Sequence, residues 1–354
     1  MSKIIIAGAG GAPSENVIRS LIEGDNNNEI IGMGSEPTDL MLTRANKKYY
    51  VPYAEDIKYK SSLLKVLNIE KPDLIHFQND LEIREASRMR EDIINTGAKI
   101  YMPTKEVIEV CVDKSKSSLI WEREGIKIPK TVIVNNEKDL KRAFETFGNC
   151  EGKIWIRATE GGGGKGALPT DNFDFAKMWI DKFNGWGRFT AAELLDAGTV
   201  TWLSIWYQGE LVVAQTRKRN SWNFGNRTLS GVTGITRVGE TLSDETVNSV
   251  ALDSILSIDK KPNGIYGVDM TYDFNGFPNP TEINISRFFT TVYFFTKAGL
   301  NMPQIFADIA LNNRFPVLKN KINPLPQGLL WIRGMDREPL LTNELEMKKT
   351  IRGL

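Results

Sequence analysis

Histidine is nearly missing from this 354-residue chain, and the scarcity narrows its chemistry before any motif is read. His76 is the only one, so there is no His/Cys cluster with zinc-ligand spacing and no choice of Ser-His or Cys-His nucleophile pairs. Cysteine is almost as scarce. Cys111 and Cys150 form no disulfide framework and fit a reducing compartment, although the sequence leaves a single bridge open. A charge excess is also lacking: 45 Lys and Arg face 44 Asp and Glu, so no whole-molecule field favours nucleic acid or a membrane surface. Nowhere do about 18 apolar residues follow one another, and the start, Met1 to Gly8, lacks the apolar run and cleavage site of a signal peptide. A cytoplasmic location is the expectation. What remains for chemistry is carboxylates, cations and backbone amides.

With 41% hydrophobic residues, the chain is long enough to bury real cores in about two or three units. The β-branched run from residue 3 to 7 ends in Gly8-Ala9-Gly10-Gly11 and leads through Pro13 into a helical stretch from Asn16 to Ile22. Further short apolar runs at 29–33, 73–77 and 99–102 alternate with helical segments, which predicts a parallel, doubly wound sheet over the first hundred residues. Pro103 opens a helix through Val107 to Trp121, after which Gly125-Ile126-Lys127-Ile128-Pro129 turns the chain into a strand at 131–134. A strand at 153–157, a glycine run and a helix at 174–183 follow. From there, segments at 190–195, 200–207, 211–216, 266–272 and 281–285 predict a largely antiparallel sheet, with a helix at 303–311.

The most informative segment is 266–284, two β-like runs around the turn signal Asn275-Gly276. In a strand, residues two apart share a face, so Glu282 and Asn284 point the same way, and folding back brings Asp269 opposite them to within one register step. Mg²⁺ takes oxygen ligands, commonly one or two carboxylates with phosphates and water completing the shell. A polar wet face on an ordinary hairpin accounts for the same residues. The second constellation, Trp155 to Gly166, is a strand feeding a glycine-rich loop whose amides can curl around an anion, with Arg157 and Lys165 adding charge. It is no Walker A loop, because Ala167 follows Gly166 where that motif needs Lys and then Ser or Thr. A mobile loop is the alternative. The turn Gly8 to Pro13 invites a dinucleotide reading, but Pro13 stands where that fingerprint wants Gly or Ala. A tight βα turn in a Rossmann-like layer is the preferred reading, with helix amides able to hold a small anion. His76, at the end of an inferred strand, is either a general base or a hydrogen-bonding residue.

Taken in order, these parts resemble the ATP-grasp superfamily, most closely its carbamoyl phosphate synthetase-like branch of carboxylate-amine ligases, over nearly the whole chain. Pro72 to Ile75 with Asn79-Asp80-Leu81-Glu82 resembles the family's preceding domain, and Val112-Asp113-Lys114 with Gly125 to Pro129 its entry into the nucleotide domain. The resemblance implies an α/β fold, α+β in its C-terminal part. A Rossmann-like unit at 1–112 would precede a two-part ATP-grasp domain, 113–189 with the lid loop and 190–354 with the metal site. It implies that Lys114 contacts phosphate, Arg157 the α-phosphate, and Glu160, Gly161, Gly162, Gly163, Gly164, Lys165 and Gly166 the β- and γ-phosphates. Glu193, Leu194 and Leu195 would form the hinge against adenine, and Asp269, Glu282 and Asn284 would bind Mg²⁺, or Mn²⁺. Two departures stand out. Thr199, Val200 and Thr201 occupy the place of the usual ribose-binding acid, with Asp196 as a substitute, and Ser286 takes the position of the usual arginine, displacing it to Arg287. A one-residue shift in a strand reverses the face.

The implied reaction transfers the γ-phosphoryl of ATP to a small carboxylate, and an amine or ammonia then captures the acyl phosphate, releasing ADP and phosphate. Arg217 and Arg219, aimed to one side by strand alternation, and Arg287 would steady the transferring phosphate or the carboxylate; a solvated basic strand end is the other account of 217–219. The loop Thr228 to Gly234 resembles a substrate-side loop. Rival expectations are a catalytically silent ATP-binding regulator, carbamoyl phosphate synthetase-like phosphorylation of a carboxylate or carbamate, and an NAD-dependent oxidoreductase. A homodimer is compatible with all of them.

Overall fold

A computed structural model of the chain describes residues 2–25, 27–148, 151–160, 164, 166–196, 198–334 and 348–353. Cys150, Gly161, Gly162, Gly163 and Lys165 lie outside the described residues.

The architecture is mixed α/β with three sheets. Strands β1 (Lys3–Ala7), β2 (Glu29–Gly34), β3 (Lys47–Tyr50), β4 (Leu74–His76) and β5 (Lys99–Ile100) form a parallel sheet in the order β3-β2-β1-β4-β5. Parallel sheets are covered on both sides, so their strands read as unbroken apolar runs. In β1 and β2, Ile5, Ala7, Ile31 and Met33 enter one core while Ile4, Ile6 and Ile30 enter the other. The sequence reading missed β3 because Lys47 and Lys48 give it no apolar run; it lies at the end of the sheet, where lysines discourage unwanted pairing. There the amide of Tyr50 donates to the carbonyl of Arg352 near the chain's C-terminus.

The helix expected from Pro103 to Trp121 is two helices, Lys105–Val112 and Lys114–Arg123. Asp113 breaks it. With extended backbone, its carboxylate accepts from the amides of Ser115 (3.0 Å) and Lys116 (3.4 Å), a side-chain N-cap that starts the second helix.

Four strands, β6 (Thr131–Ile133), β7 (Ile154–Ala158), β8 (Leu168–Thr170) and β9 (Phe189–Glu193), make a second sheet in the order β6-β9-β7-β8 around a small core of Val134, Leu140, Ile154, Ile180 and Phe189. This corrects the expectation that residues 190–195 open the large antiparallel sheet: they pair with β7 and β6 instead. The third sheet, all antiparallel, contains β10 (Thr199–Tyr207), β11 (Glu210–Trp222), β12 (Thr236–Leu242), β13 (Gly264–Tyr272), β14 (Pro278–Ile285) and β15 (Leu330–Ile332), ordered β14-β13-β10-β11-β12-β15. β11 runs past Thr216, so Arg217 and Arg219 lie within the strand and not after it. Among the described residues no helix is long and apolar enough to cross a membrane.

Candidate active site

The hairpin of β13 and β14 turns through Asp273, Asn275 and Gly276, the last at φ +78°, a conformation glycine adopts without strain. Asp273 closes the turn by accepting from the amides of Asn275 and Phe277, each at 2.9 Å. The hydrogen bond from Lys127, followed by that of the Phe277 amide, holds its carboxyl down at about 2. This turn sets the register. Asp269 stands directly opposite Glu282, Gly267 opposite Asn284, and the Asn284 Nδ2 donates to Asp269 Oδ2 at 3.1 Å. Three oxygen-bearing side chains therefore converge, as the sequence spacing predicts.

Cations surround them from three directions. The capped helix start aims Lys114 at the hairpin, with Nζ 3.2 Å from Glu282 Oε2. Arg157 crosses from β7 in the four-stranded sheet and donates through Nη2 to the carbonyl of Thr281 at 2.9 Å. Arg287 donates through Nε to Asp80 Oδ1 at 2.6 Å and also bonds Asn284 Oδ1. Burial pushes the Glu282 carboxyl up, but the charges of Lys114, Arg157 and Arg287 outweigh it and hold the group at about 2. Conversely, desolvation lowers the Arg157 guanidinium, and Glu282 and Asp269 only partly offset it. Arg287 is held up by Asp80 against its burial. Its face is explained by Ser286, which sits at φ +56°. That left-handed residue takes up the one-residue shift and returns Arg287 to the side of Asn284.

Arg217 and Arg219 do share a side, since both donate to Thr236 Oγ1, but Arg217 is not free to meet a ligand. This is a correction. Only 1% exposed, its guanidinium donates to Thr236 (3.0 Å), Thr291 (2.9 Å) and Thr201 (2.7 Å) and lies 4.5 Å over the Phe289 ring. Burial and the neighbouring Arg219 push its pKa far below the usual arginine range, against the pull of Asp269. Arg219 stacks over Trp222 at 3.8 Å and reaches to 3.9 Å from Asp269. Thr201, which the sequence reading weighed only for ribose, donates its hydroxyl to Asp269 Oδ1.

Of the glycine-rich segment, Glu160 forms a two-pronged pair with Arg84, both contacts at 3.2 Å. Gly164 has φ +74°, and a Cβ there would come within 3.0 Å of the Val232 carbonyl, so Gly164 packs against the 228–234 loop. At Gly166 a Cβ would meet the Phe189 ring at 2.7 Å. The Glu193 carboxylate accepts from the Lys130 amide at 3.0 Å, and Leu194 and Leu195 are half-buried beside it. Asp196 accepts from its own neighbour, Gly198, at 2.9 Å.

Two further sequence candidates are already engaged by the protein's own groups. In the turn after β1, the protein's own Glu15 accepts from the amides of Gly10 (3.1 Å) and Arg44 (3.2 Å), so an internal carboxylate fills the place of a bound anion. His76 is 3% exposed between Phe288 and Phe306, with Nε2 3.0 Å from Gln78 Oε1, and burial depresses its pKa to about 4. A groove of about 370 Å³ lined by Tyr207, Glu210, Phe315 and Lys321 lies at the far end of β10, roughly 25 Å of strand from Thr199. It plays no part in the cluster.

Sequence reasoning missed three contacts: Thr201 with Asp269, Asp80 with Arg287, and Arg84 with Glu160. Each joins residues far apart in the chain, 68, 207 and 76 positions respectively.

No family model matches the chain, and no curated protein matches it. Solved structures do. An L-amino acid ligase from Bacillus licheniformis superposes with a TM-score of 0.65 at 13% identity, over 88% of this chain and 74% of that one. Biotin carboxylase from Campylobacter jejuni, solved as a complex with β,γ-ATP, gives 0.68 at 16% identity over 89% and 72%. A carboxyaminoimidazole ribonucleotide synthase from Aspergillus clavatus complexed with ATP gives 0.67 at 14% over 93% and 81%. At such identities the likeness speaks for the fold alone, and the chain shares the ATP-grasp fold of these structures.

Proposed function

We propose that the protein is an Mg-ATP-dependent ligase that phosphorylates a small carboxylate and passes the acyl group to an amine or ammonia, releasing ADP and phosphate. The observation that supports this most is the junction of two sheets at one acidic pair: Asp269 and Glu282 on the hairpin, with Arg157 arriving from β7 and Lys114 from the capped helix. By name the three similar structures are an L-amino acid ligase, a biotin carboxylase and a carboxyaminoimidazole ribonucleotide synthase, and two were solved with ATP or an analogue.

The donor set suits Mg²⁺. Two carboxylates and one amide oxygen leave positions for phosphate oxygens and water, the usual way this ion is held. Asn284 now turns Nδ2 toward Asp269 and Oδ1 toward Arg287, so its amide acts as the hydrogen-bond donor that a cation would replace. When bound, Mg²⁺ neutralises charge on the β- and γ-phosphates. Asp269, Glu282 and Asn284 would hold it; Lys114 and Arg157 would take phosphate oxygens; Gly164 and Gly166 would let the backbone approach the triphosphate, with the hinge at Glu193 to Leu195 on the base. Arg219 and Arg287 flank the acidic pair, where they would steady the substrate carboxylate as it attacks the γ-phosphorus. In this reading the parallel sheet is the Rossmann-like preceding unit, and the two antiparallel sheets are the halves of the nucleotide domain.

A panel of amino acids and other small carboxylates, each with and without an amine, tests the proposal by released ADP and phosphate. ADP release that requires both substrates supports it. AMP with pyrophosphate would contradict it, and Mg-ATP binding without turnover across the panel would favour the silent regulator.

A further inference from the structure

Arg217 is the largest charged side chain wholly buried in the described residues, and no carboxylate touches it. Burying a guanidinium against three hydroxyls and a ring face, with Nε lacking any partner, is costly for a group that contributes only packing. Its position in the sheet gives the burial a use. The residues directly opposite one another on four adjacent strands are Glu282, Asp269, Thr201 and Arg217, which places all four on one face of the large sheet.

The proton count along this row is fixed by chemistry. A guanidinium can only donate, so Thr201 Oγ1 accepts from Arg217 Nη2, and its single hydrogen is left to point at Asp269 Oδ1. Thr201 is fully buried, so no water competes for either bond. The other oxygen, Asp269 Oδ2, accepts from Asn284 and is the one a cation would take in that donor's place. Thr291, just before the helix Val292–Lys297, and Thr236 on β12 in turn hold the guanidinium. We propose that Arg217 is a positioning residue, acting through the Thr201 hydroxyl to fix the Asp269 carboxylate in the orientation that binds the divalent cation. This rests on the reading of Asp269 as a metal ligand, and it gives Arg217 a task other than contact with phosphate or substrate. Groups that orient metal-ligating carboxylates commonly change metal affinity by about 10- to 100-fold when removed.

The test is Mn²⁺ binding in the presence of ADP, with free Mn²⁺ read by its paramagnetic resonance signal. Thr201→Val keeps the volume and deletes the relay; Thr201→Ser keeps the relay. The expected result is Mn²⁺ binding weakened about tenfold or more in T201V and within about threefold of wild type in T201S. Adding Arg217→Met to T201V should cost little further affinity, because the relay is already cut. Should T201V fail to fold, Arg217→Lys carries the comparison, since an ammonium cannot span Thr201, Thr236 and Thr291 together and should also weaken Mn²⁺. A folded T201V or R217K that binds Mn²⁺ as wild type does overturns the relay, whatever its thermal stability. Asp269→Asn separates the two claims. Loss of Mn²⁺ in D269N with none in T201V removes the relay alone, whereas unchanged Mn²⁺ binding in D269N removes the metal site and the relay with it.

Discussion

Two glycine-rich sequences follow strands in this chain, and the described residues beside them differ in charge. After β1, the Gly8 to Gly11 turn is closed on itself: Glu15 takes its amide, and the backbone of Asp39 packs so near Gly10 that a Cβ there would lie 1.9 Å from a carbonyl oxygen. After β7, the described neighbours are cationic: Arg157 donates to the Thr281 carbonyl and Lys114 pairs with the Glu282 carboxylate of the facing hairpin. Glycine permits both turns, but it is the charge they face that decides whether an anion is wanted. The first already holds a carboxylate of its own; near the second sequence, Arg157 and Lys114 meet an acidic pair that suits a metal.

The largest effect should come from breaking the second region. Glu282→Gln leaves core volume unchanged, and metal-dependent turnover is expected to fall at least about a hundredfold while thermal melting moves little. Equal activity in the variant would remove Glu282 from the site. Next, Arg157→Met should weaken ADP binding by about tenfold, the worth of one charge-assisted bond, whereas Glu15→Gln should leave ADP affinity unchanged. The Glu15 change should instead lower stability by about 1–3 kcal/mol, as two buried amides lose a charged acceptor. If Glu15→Gln alters nucleotide affinity and Arg157→Met does not, the comparison is reversed.

A smaller effect concerns His76. Its pKa of about 4 lies below the ordinary 6.5, so between those values the unfolded chain binds a proton that the fold excludes. The stability it contributes is present above pH 6.5 and is lost as pH falls toward 4, by up to about 3 kcal/mol. Melting of His76→Gln should therefore decline less over that window than melting of the wild type, with turnover at neutral pH changed by less than about threefold. A large loss of turnover would restore His76 as a base.

The sequence made the hairpin legible because its information is local. Asn275-Gly276 marks the turn, and the period of two places Glu282 and Asn284 on one face. The parallel sheet was readable for the same reason, except at β3, where edge lysines replace the apolar run. Hidden from the sequence were the features set by distant contacts: the break at Asp113, which depends on a cap, the pairing of β9 with β7, and the burial of Arg217. Arginine alternating along a strand end reads as an exposed cation, and only the neighbouring strands, with their threonines, show it to be enclosed. The Arg287 shift was visible, but its resolution required the left-handed Ser286, which no composition rule anticipates.

The central claim is that a folded-back acidic ribbon faces a nucleotide's triphosphate. Calorimetric titration with a non-hydrolysable ATP analogue, with and without Mg²⁺, and in parallel with NAD, tests it directly. Analogue binding that strengthens with Mg²⁺ in the wild type, loses that dependence in Asp269→Asn, and has no NAD counterpart is the predicted result. Binding of NAD, or analogue binding indifferent to both Mg²⁺ and the Asp269 change, would contradict the account.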